Sequence, residues 1–225
     1  MVVAVGEIET RKLLDDLIII AQGKNELNEK NSMYGKVSHG DGWGLAYLNS
    51  DDKWTLYKSL QPIYQDKKLS ELKSIKTKAV ILHVRRATTG SKSLQNTQPF
   101  LYRDKVNEII FAHNGTIYDD FSISDKYIEG NSDSAKWFNR LLKEYCEKET
   151  LQNSLSLENY SLANFVFATS NKIIIGEKFK QNPVYSTMKY YIKGKDVVVS
   201  SEILPTHVDK KWRKINNNSL IEISF

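Results

Sequence analysis

Several short stretches of the sequence end apolar runs in side chains able to handle a charged amino acid. Arg85, in H-V-R-R-A-T-T-G (83–90), directly follows a strand-like run. A guanidinium there offers a planar, two-pronged fork to a carboxylate, or else closes a surface salt bridge. Asp133, in N-S-D (131–133), stands at a helix start, where a carboxylate either caps the helix or holds an ammonium group. Asn114 and Gly115 lie in F-A-H-N-G-T-I (111–117). Asn-Gly accepts positive φ cheaply and is the strongest short hairpin signal, so a turn is expected. The same pair also makes a polar cradle, a side-chain amide beside an unobstructed backbone N–H. In H-G-D-G-W-G (39–44), glycines at 40, 42 and 44 let the backbone turn sharply or approach a neighbour closely. An arginine for an α-carboxylate, an aspartate for an α-ammonium and an Asn-Gly cradle for an oxyanion form a recognition set. It suits an amino acid whose side-chain amide is cleaved, glutamine or a γ-glutamyl compound.

The elements that must position these groups follow from hydrophobic period. Val2-Val3-Ala4-Val5 reads as a buried strand closed by Gly6. Thr10 is expected to cap a helix with Leu13, Leu14, Leu17, Ile18 and Ala21 on one face and Gly23 past its end. Lys24 to Ser38 is polar and reads as loop. A hairpin is expected from Gly42, G-W-G-L-A-Y-L then W-T-L-Y-K, joined by N-S-D-D. A short helix near Ser70 leads to the strand A-V-I-L-H-V (79–84), and E-I-I-F-A-H (108–113) is another strand. Ser132 is expected to cap a helix carrying Trp137, Leu141, Leu142 and Tyr145 on one side. Four more strand-like runs follow, the last two joined at Gly194-Lys195, then a terminal pair around Ile215 and Ile221. Antiparallel pairs interrupted by two amphipathic helices predict a layered α+β arrangement, each sheet facing another sheet on one side and helices on the other.

A chain of 225 residues, 40% apolar and undivided by any Pro/Gly/Ser-rich linker, reads as one domain over 1–225. The 32 basic and 27 acidic residues give +5, interleaved rather than blocked, which disfavours a nucleic-acid footprint. Cys146 is the lone cysteine, so no internal disulfide forms and a reducing, cytoplasmic setting is expected. No apolar stretch approaches the roughly 18 residues of a membrane span, so no membrane partner is expected. A metal hydrolase built on His39, His83, His113 and Asp133 is a competing reading, but H-x-H and H-E-x-x-H spacings are missing. A basic nucleic-acid-binding module is a second competitor.

Six motifs in order resemble a known family: H-G-D-G-W-G (39–44), H-V-R-R-A-T-T-G (83–90), N-T-Q-P-F (96–100), H-N-G-T-I (113–117), N-S-D-S (131–134) and V-V-S-S-E (198–202). The family is the class II (N-terminal nucleophile) glutamine amidotransferases, especially the short stand-alone members related to the γ-glutamyl hydrolase of ergothioneine synthesis. The resemblance implies a four-layer αββα sandwich forming one type 2 domain. It implies that Arg85 and Thr88 hold the substrate α-carboxylate, Asp133 its ammonium, and Asn114 and Gly115 the oxyanion. It also implies acyl transfer without a cofactor: an N-terminal cysteine attacks the γ-carbonyl, ammonia leaves, and water releases glutamate. The ammonia acceptor would be a separate synthase; simple γ-glutamyl amide hydrolysis is equally allowed.

The sequence departs from that pattern twice. Gln98 stands where relatives generally have histidine. Relatives begin Met-Cys, whereas this chain begins M-V-V-A-V-G, which places the expected nucleophile about two positions ahead of Met1. A start upstream, at a Met-Cys pair, is therefore expected; without one, the chain is a pseudoenzyme that binds glutamine-like ligands. Cys146 is expected to pack beside the core face of its helix and not to replace the nucleophile.

Overall fold

The computed structural model describes residues 1–27, 37–121, 126–148 and 150–225; most of the polar stretch expected to be loop lies outside them. In chain order the strands are β1 (Val2–Glu9), β2 (Trp43–Leu48), β3 (Trp54–Ser59), β4 (Lys76–Val84), β5 (Phe100–Arg103), β6 (Glu108–Ile117), β7 (Tyr160–Ala168), β8 (Lys172–Glu177), β9 (Lys189–Lys193), β10 (Asp196–Ser200), β11 (Arg213–Lys214) and β12 (Ser219–Ser224). The helices are α1 (Thr10–Ala21), α2 (Leu69–Leu72), α3 (Asp133–Lys148) and α4 (Pro183–Ser186). Two antiparallel sheets form, a seven-stranded one ordered β11-β9-β10-β1-β4-β2-β3 and a five-stranded one ordered β12-β8-β7-β6-β5.

Alternation along the strands explains why the sheets stack. In β1, Val2 and Ala4 pack with Leu13, Leu14 and Leu17 of α1, while Val3 and Val5 pack with Ile110 and Val166 of the second sheet. In β6, Ile110 and Ala112 face the first sheet, and Ile109 and Phe111 face α3. Side chains two residues apart share a face, so a strand buried on both faces shows an unbroken apolar run. On α3, Trp137, Phe138, Leu141 and Leu142 form the buried stripe, and Phe111 stacks on Phe138 with centroids 4.9 Å apart. The layers are α1, sheet, sheet, α3: the αββα sandwich.

Local expectations fared unevenly. Gly6 does not close β1, which runs on through a bulge between Val5 and Ile8. Thr10 caps nothing; it is the first helical residue, and its hydroxyl donates to the Leu72 and Ile75 carbonyls across the layer. The helix does end at Gly23, whose N–H and that of Lys24 return to the Ile20 and Ile19 carbonyls. The terminal pair separates: β11 joins β9 in one sheet and β12 joins β8 in the other. The stretch N-N-N-S (216–219) between them is thus a crossing between sheets, because each segment finds its apolar partner in a different layer. The edge strand β5 had no expectation.

Candidate functional site

A cavity of about 620 Å³ opens where the C-terminal ends of β4 and β6 meet the start of α3. Arg85, Thr88, Asn114, Gly115 and Asp133 all line it, and so does Met1. Residues more than 100 positions apart are thus assembled by strand order.

Arg85 is held from both sides of its backbone. Its N–H donates to the Gly42 carbonyl at 2.8 Å, and its carbonyl accepts from Asp41 N–H at 3.0 Å. The Asp41 carboxylate accepts from Ala87 N–H at 2.9 Å. The glycine-rich loop therefore clasps the arginine segment by close backbone approach. Arg85 is only 4% exposed; Nη2 donates to the Thr89 carbonyl at 3.1 Å, while Nη1 is buried and has no partner among the described residues. Burial disfavours its charge, and Asp41 and Asp133 offset only part of that loss. An unpartnered cationic donor in a cavity is set for an anion.

Asp133 does not cap α3, of which it is the first residue. Ser132 caps α3, its Oγ accepting from Ala135 N–H at 3.2 Å, as expected. The Asp133 carboxylate reaches sideways, accepting from Thr89 Oγ1 at 2.5 Å and from Ile117 N–H at 2.9 Å. This ties the start of α3 to the end of β6. A carboxylate offers about four lone-pair positions, so capacity for an ammonium group remains. Thr88 lines the cavity with its Oγ1 3.1 Å from Thr116 Oγ1. Its neighbour Thr89 makes the Asp133 contacts, a role the doubled T-T could not reveal.

The expected Asn-Gly turn does not form. β6 continues through both residues, Asn114 opposite Asn164 and Gly115 opposite Ala163. Glycine is needed for another reason: φ is +128° there, and a Cβ would collide with the Leu162 carbonyl. Tertiary crowding, not turn chemistry, selects it. Asn114 lines the cavity, and among the described residues its side-chain amide has no hydrogen-bond partner.

Three histidines surround this cradle, all held neutral. Burial pushes His39 down to about 4, holds His83 well below the ordinary histidine value, and lowers His113. Among the described residues no group of three or more His, Cys, Asp or Glu side chains is placed to hold a metal ion. No helix there is long and apolar enough to cross a membrane. Cys146 corrects its expectation: it is exposed near the end of α3, where the buried stripe has turned away from it, and burial with Asp104 raises its thiol pKa. At the other wall, the Met1 nitrogen donates to Ser201 Oγ at 3.1 Å, within the V-V-S-S-E motif. Sequence reasoning also missed Asn96, whose Oδ1 accepts from the N–H groups of Asn131 and Ser132 and so shapes the loop before α3.

Fold and cavity together define a sandwich that presents an arginine, an aspartate and a free amide from strand and helix ends. Residues 30–173 match the family model described as glutamine amidotransferases class-II, and the chain belongs to that family. It is 26% identical over 231 residues to an uncharacterized protein of Methanocaldococcus jannaschii, covering 87% of this chain and 64% of that protein. Among solved structures it is similar to the glutamine phosphoribosylpyrophosphate amidotransferase of Bacillus subtilis, at TM-score 0.70 and 21% identity, over 99% of this chain and 47% of that one. A glutamine aminotransferase class-II domain protein from Silicibacter pomeroyi matches at TM-score 0.60 and 16% identity, over 83% of this chain and 93% of that one. These likenesses establish the αββα fold. The chain thus spans about half the length of the Bacillus enzyme and under two thirds of the Methanocaldococcus protein.

Proposed function

We propose that the cavity binds the glutamyl part of glutamine or of a γ-glutamyl amide, within a type 2 amidotransferase domain spanning residues 1–225. The observation that carries this reading is a pair of donors with no hydrogen-bond partner among the described residues, Arg85 Nη1 and the Asn114 amide, in one cavity with Asp133. Arg85, with Thr88 beside it, takes the α-carboxylate, and Asp133 takes the α-ammonium. The γ-carbonyl oxygen then lies toward Asn114 and the Gly115 N–H. As an oxyanion develops there, those donors strengthen; losing one such donor typically costs about 10²–10³ in rate.

The reaction of this reading is amide hydrolysis through an acyl-enzyme. A thiolate adds to the γ-carbonyl, the C–N bond breaks as the leaving amine takes a proton, and water cleaves the thioester to give glutamate. The residue of this chain that enters the cavity at that wall is Met1, whose thioether is no nucleophile, and exposed Cys146 is no substitute. The groups named here bind the glutamyl part, and hydrolysis needs a cysteine thiolate at the cavity wall beside Met1. Released ammonia passes to water or to a separate synthase.

The experiment pairs glutamine hydrolysis with glutamate-dependent thermal shift, for this chain and for a variant extended upstream by the expected Met-Cys start. Stabilisation of both chains by glutamate, with turnover by the variant alone, is expected. Turnover by the unaltered chain refutes the missing-nucleophile reading, and no shift in either chain refutes the ligand.

A further inference from the structure

Beneath the cradle lies a closed ring of three buried polar side chains. Gln98, His113 and Ser134 are 6%, 2% and 5% exposed. Gln98 Oε1 accepts from the His113 backbone N–H at 2.5 Å. Gln98 Nε2 lies 3.2 Å from Ser134 Oγ, and Ser134 Oγ lies 2.9 Å from His113 Nδ1. His113 Nε2 lies 3.3 Å from the Leu162 carbonyl. His113 immediately precedes Asn114, and Ser134 immediately follows Asp133. The ring therefore joins the two flanks of the cavity that the proposed function assigns to oxyanion and ammonium.

Every proton in the ring has one place to go. A backbone N–H can only donate, so the Gln98 amide must turn its oxygen to His113 and its nitrogen to Ser134. A carbonyl can only accept, so His113 carries its proton on Nε2, facing Leu162. Nδ1 of the uncharged ring is then an acceptor, and the Ser134 hydroxyl must donate to it. That leaves a Ser134 lone pair to accept from Gln98 Nε2, which closes the cycle with every group satisfied. Buried networks satisfied in this way are rigid, and half-satisfied ones are costly.

We propose that Gln98 is a positioning residue which, by fixing His113 in the Nε2–H tautomer, locks Asn114 and Asp133 into a single frame. It touches the reacting groups only through its partners. The inference rests on the proposed ligand for its functional meaning, but the ring is testable without any ligand. Gln98→Glu removes the donor to Ser134 and turns that hydroxyl toward the new carboxylate. His113 Nδ1 then loses its donor, and the ring gains protonation in the neutral range. Gln98→His keeps one acceptor and one donor, so it rescues the frame.

The test is nitrogen NMR of the histidine rings and of the Asn114 and Ser134 amides, with calorimetric glutamate binding, for the parent chain and both variants. The parent is expected to show the Nε2–H tautomer for His113 from pH 8 to pH 6. Gln98→Glu is expected to raise the His113 protonation midpoint, move both amide signals and weaken glutamate about tenfold, the factor set by losing one hydrogen bond's worth of alignment. Gln98→His should restore the tautomer and most of the affinity. An Nδ1–H tautomer in the parent overturns the proposal even if Gln98→Glu fails to fold. So does a folded Gln98→Glu chain whose Asn114 and Ser134 signals stay in place. A parent that binds no glutamate refutes the ligand reading instead, and the tautomer and amide signals still decide the ring.

Discussion

A single methyl group at Gly115 tests why glycine follows Asn114. If the pair served a hairpin turn, Gly115→Ala would be a mild change, since a turn at the surface has room to adjust. In the structure Gly115 has φ +128° in the middle of the β6–β7 ladder, and a Cβ would overlap the Leu162 carbonyl, with Leu162 Cβ only 2.9 Å away. Two costs follow. The backbone region is all but reserved for glycine, which costs about 1–3 kcal/mol. Relieving the overlap means displacing β7 at Leu162, which weakens its pairing with Thr116 and that of neighbouring Ala163 with Gly115, at about 0.5–1.5 kcal/mol per hydrogen bond. With one hydrogen bond weakened in each pairing the sum is about 2–6 kcal/mol, and at about 2–4 °C per kcal/mol for a chain of this size the melting temperature drops by roughly 10 °C. Gly194→Ala is the control: φ is +61° in the β9–β10 turn, but nothing lies within 4 Å of its Cβ. Its cost is the left-handed backbone alone, about 1–2 kcal/mol. Calorimetric melting of both variants against the parent reads the difference. Equal melting temperatures for the two variants would refute the crowding argument.

Two further outcomes are expected. Glu177 is fully buried, its Oε2 has no partner among the described residues, and burial pushes its carboxyl from 4.5 up to about 8. A raised carboxyl pKa stabilises the fold fully below the unfolded value and loses that contribution as pH rises through 8. Urea unfolding should therefore show stability falling between pH 5 and pH 8, with a slope up to about 1.4 kcal/mol per pH unit, and Glu177→Gln should flatten it. Cys146 is exposed, so it should react fully with a thiol reagent in the native state, slowly at pH 7 because its thiol pKa is raised. Cys146→Ser should shift melting by no more than about 1–2 °C, within the usual effect of a surface substitution.

The strands were legible where burial on both faces produced long apolar runs, as in Val2–Val5 and Ala79–Val84. The layer order followed from that same doubled burial together with two amphipathic helices. Legibility failed where a residue serves a distant partner. Thr10 has the right chemistry for a cap, yet its hydroxyl is taken by Leu72 and Ile75 across the layer. Asn114-Gly115 carries a local turn signal that the Leu162 carbonyl overrides. The terminal strands looked like a hairpin because nothing local says that they belong to different sheets. At the site, residue types suggested Arg85, Asn114, Gly115 and Asp133, the resemblance added Thr88, and the fold brings all five to one cavity. Thr89 was invisible and Gln98 stood out only as a departure from its relatives, because a positioning role exists only once its partners are in place.

The central claim is that Arg85 and Asp133 read the two charges of an α-amino acid, and ligand truncation tests it without altering the protein. Calorimetry would compare glutamate with glutarate, which lacks the ammonium, and with 4-aminobutyrate, which lacks the α-carboxylate. Each missing contact is a charge-assisted hydrogen bond worth about 1.5–3 kcal/mol, or roughly ten- to hundredfold in affinity. One glutamate per chain, with both truncated ligands weaker by that factor, is the expected result. Equal binding of all three, or of none, would contradict the assignment of the cavity.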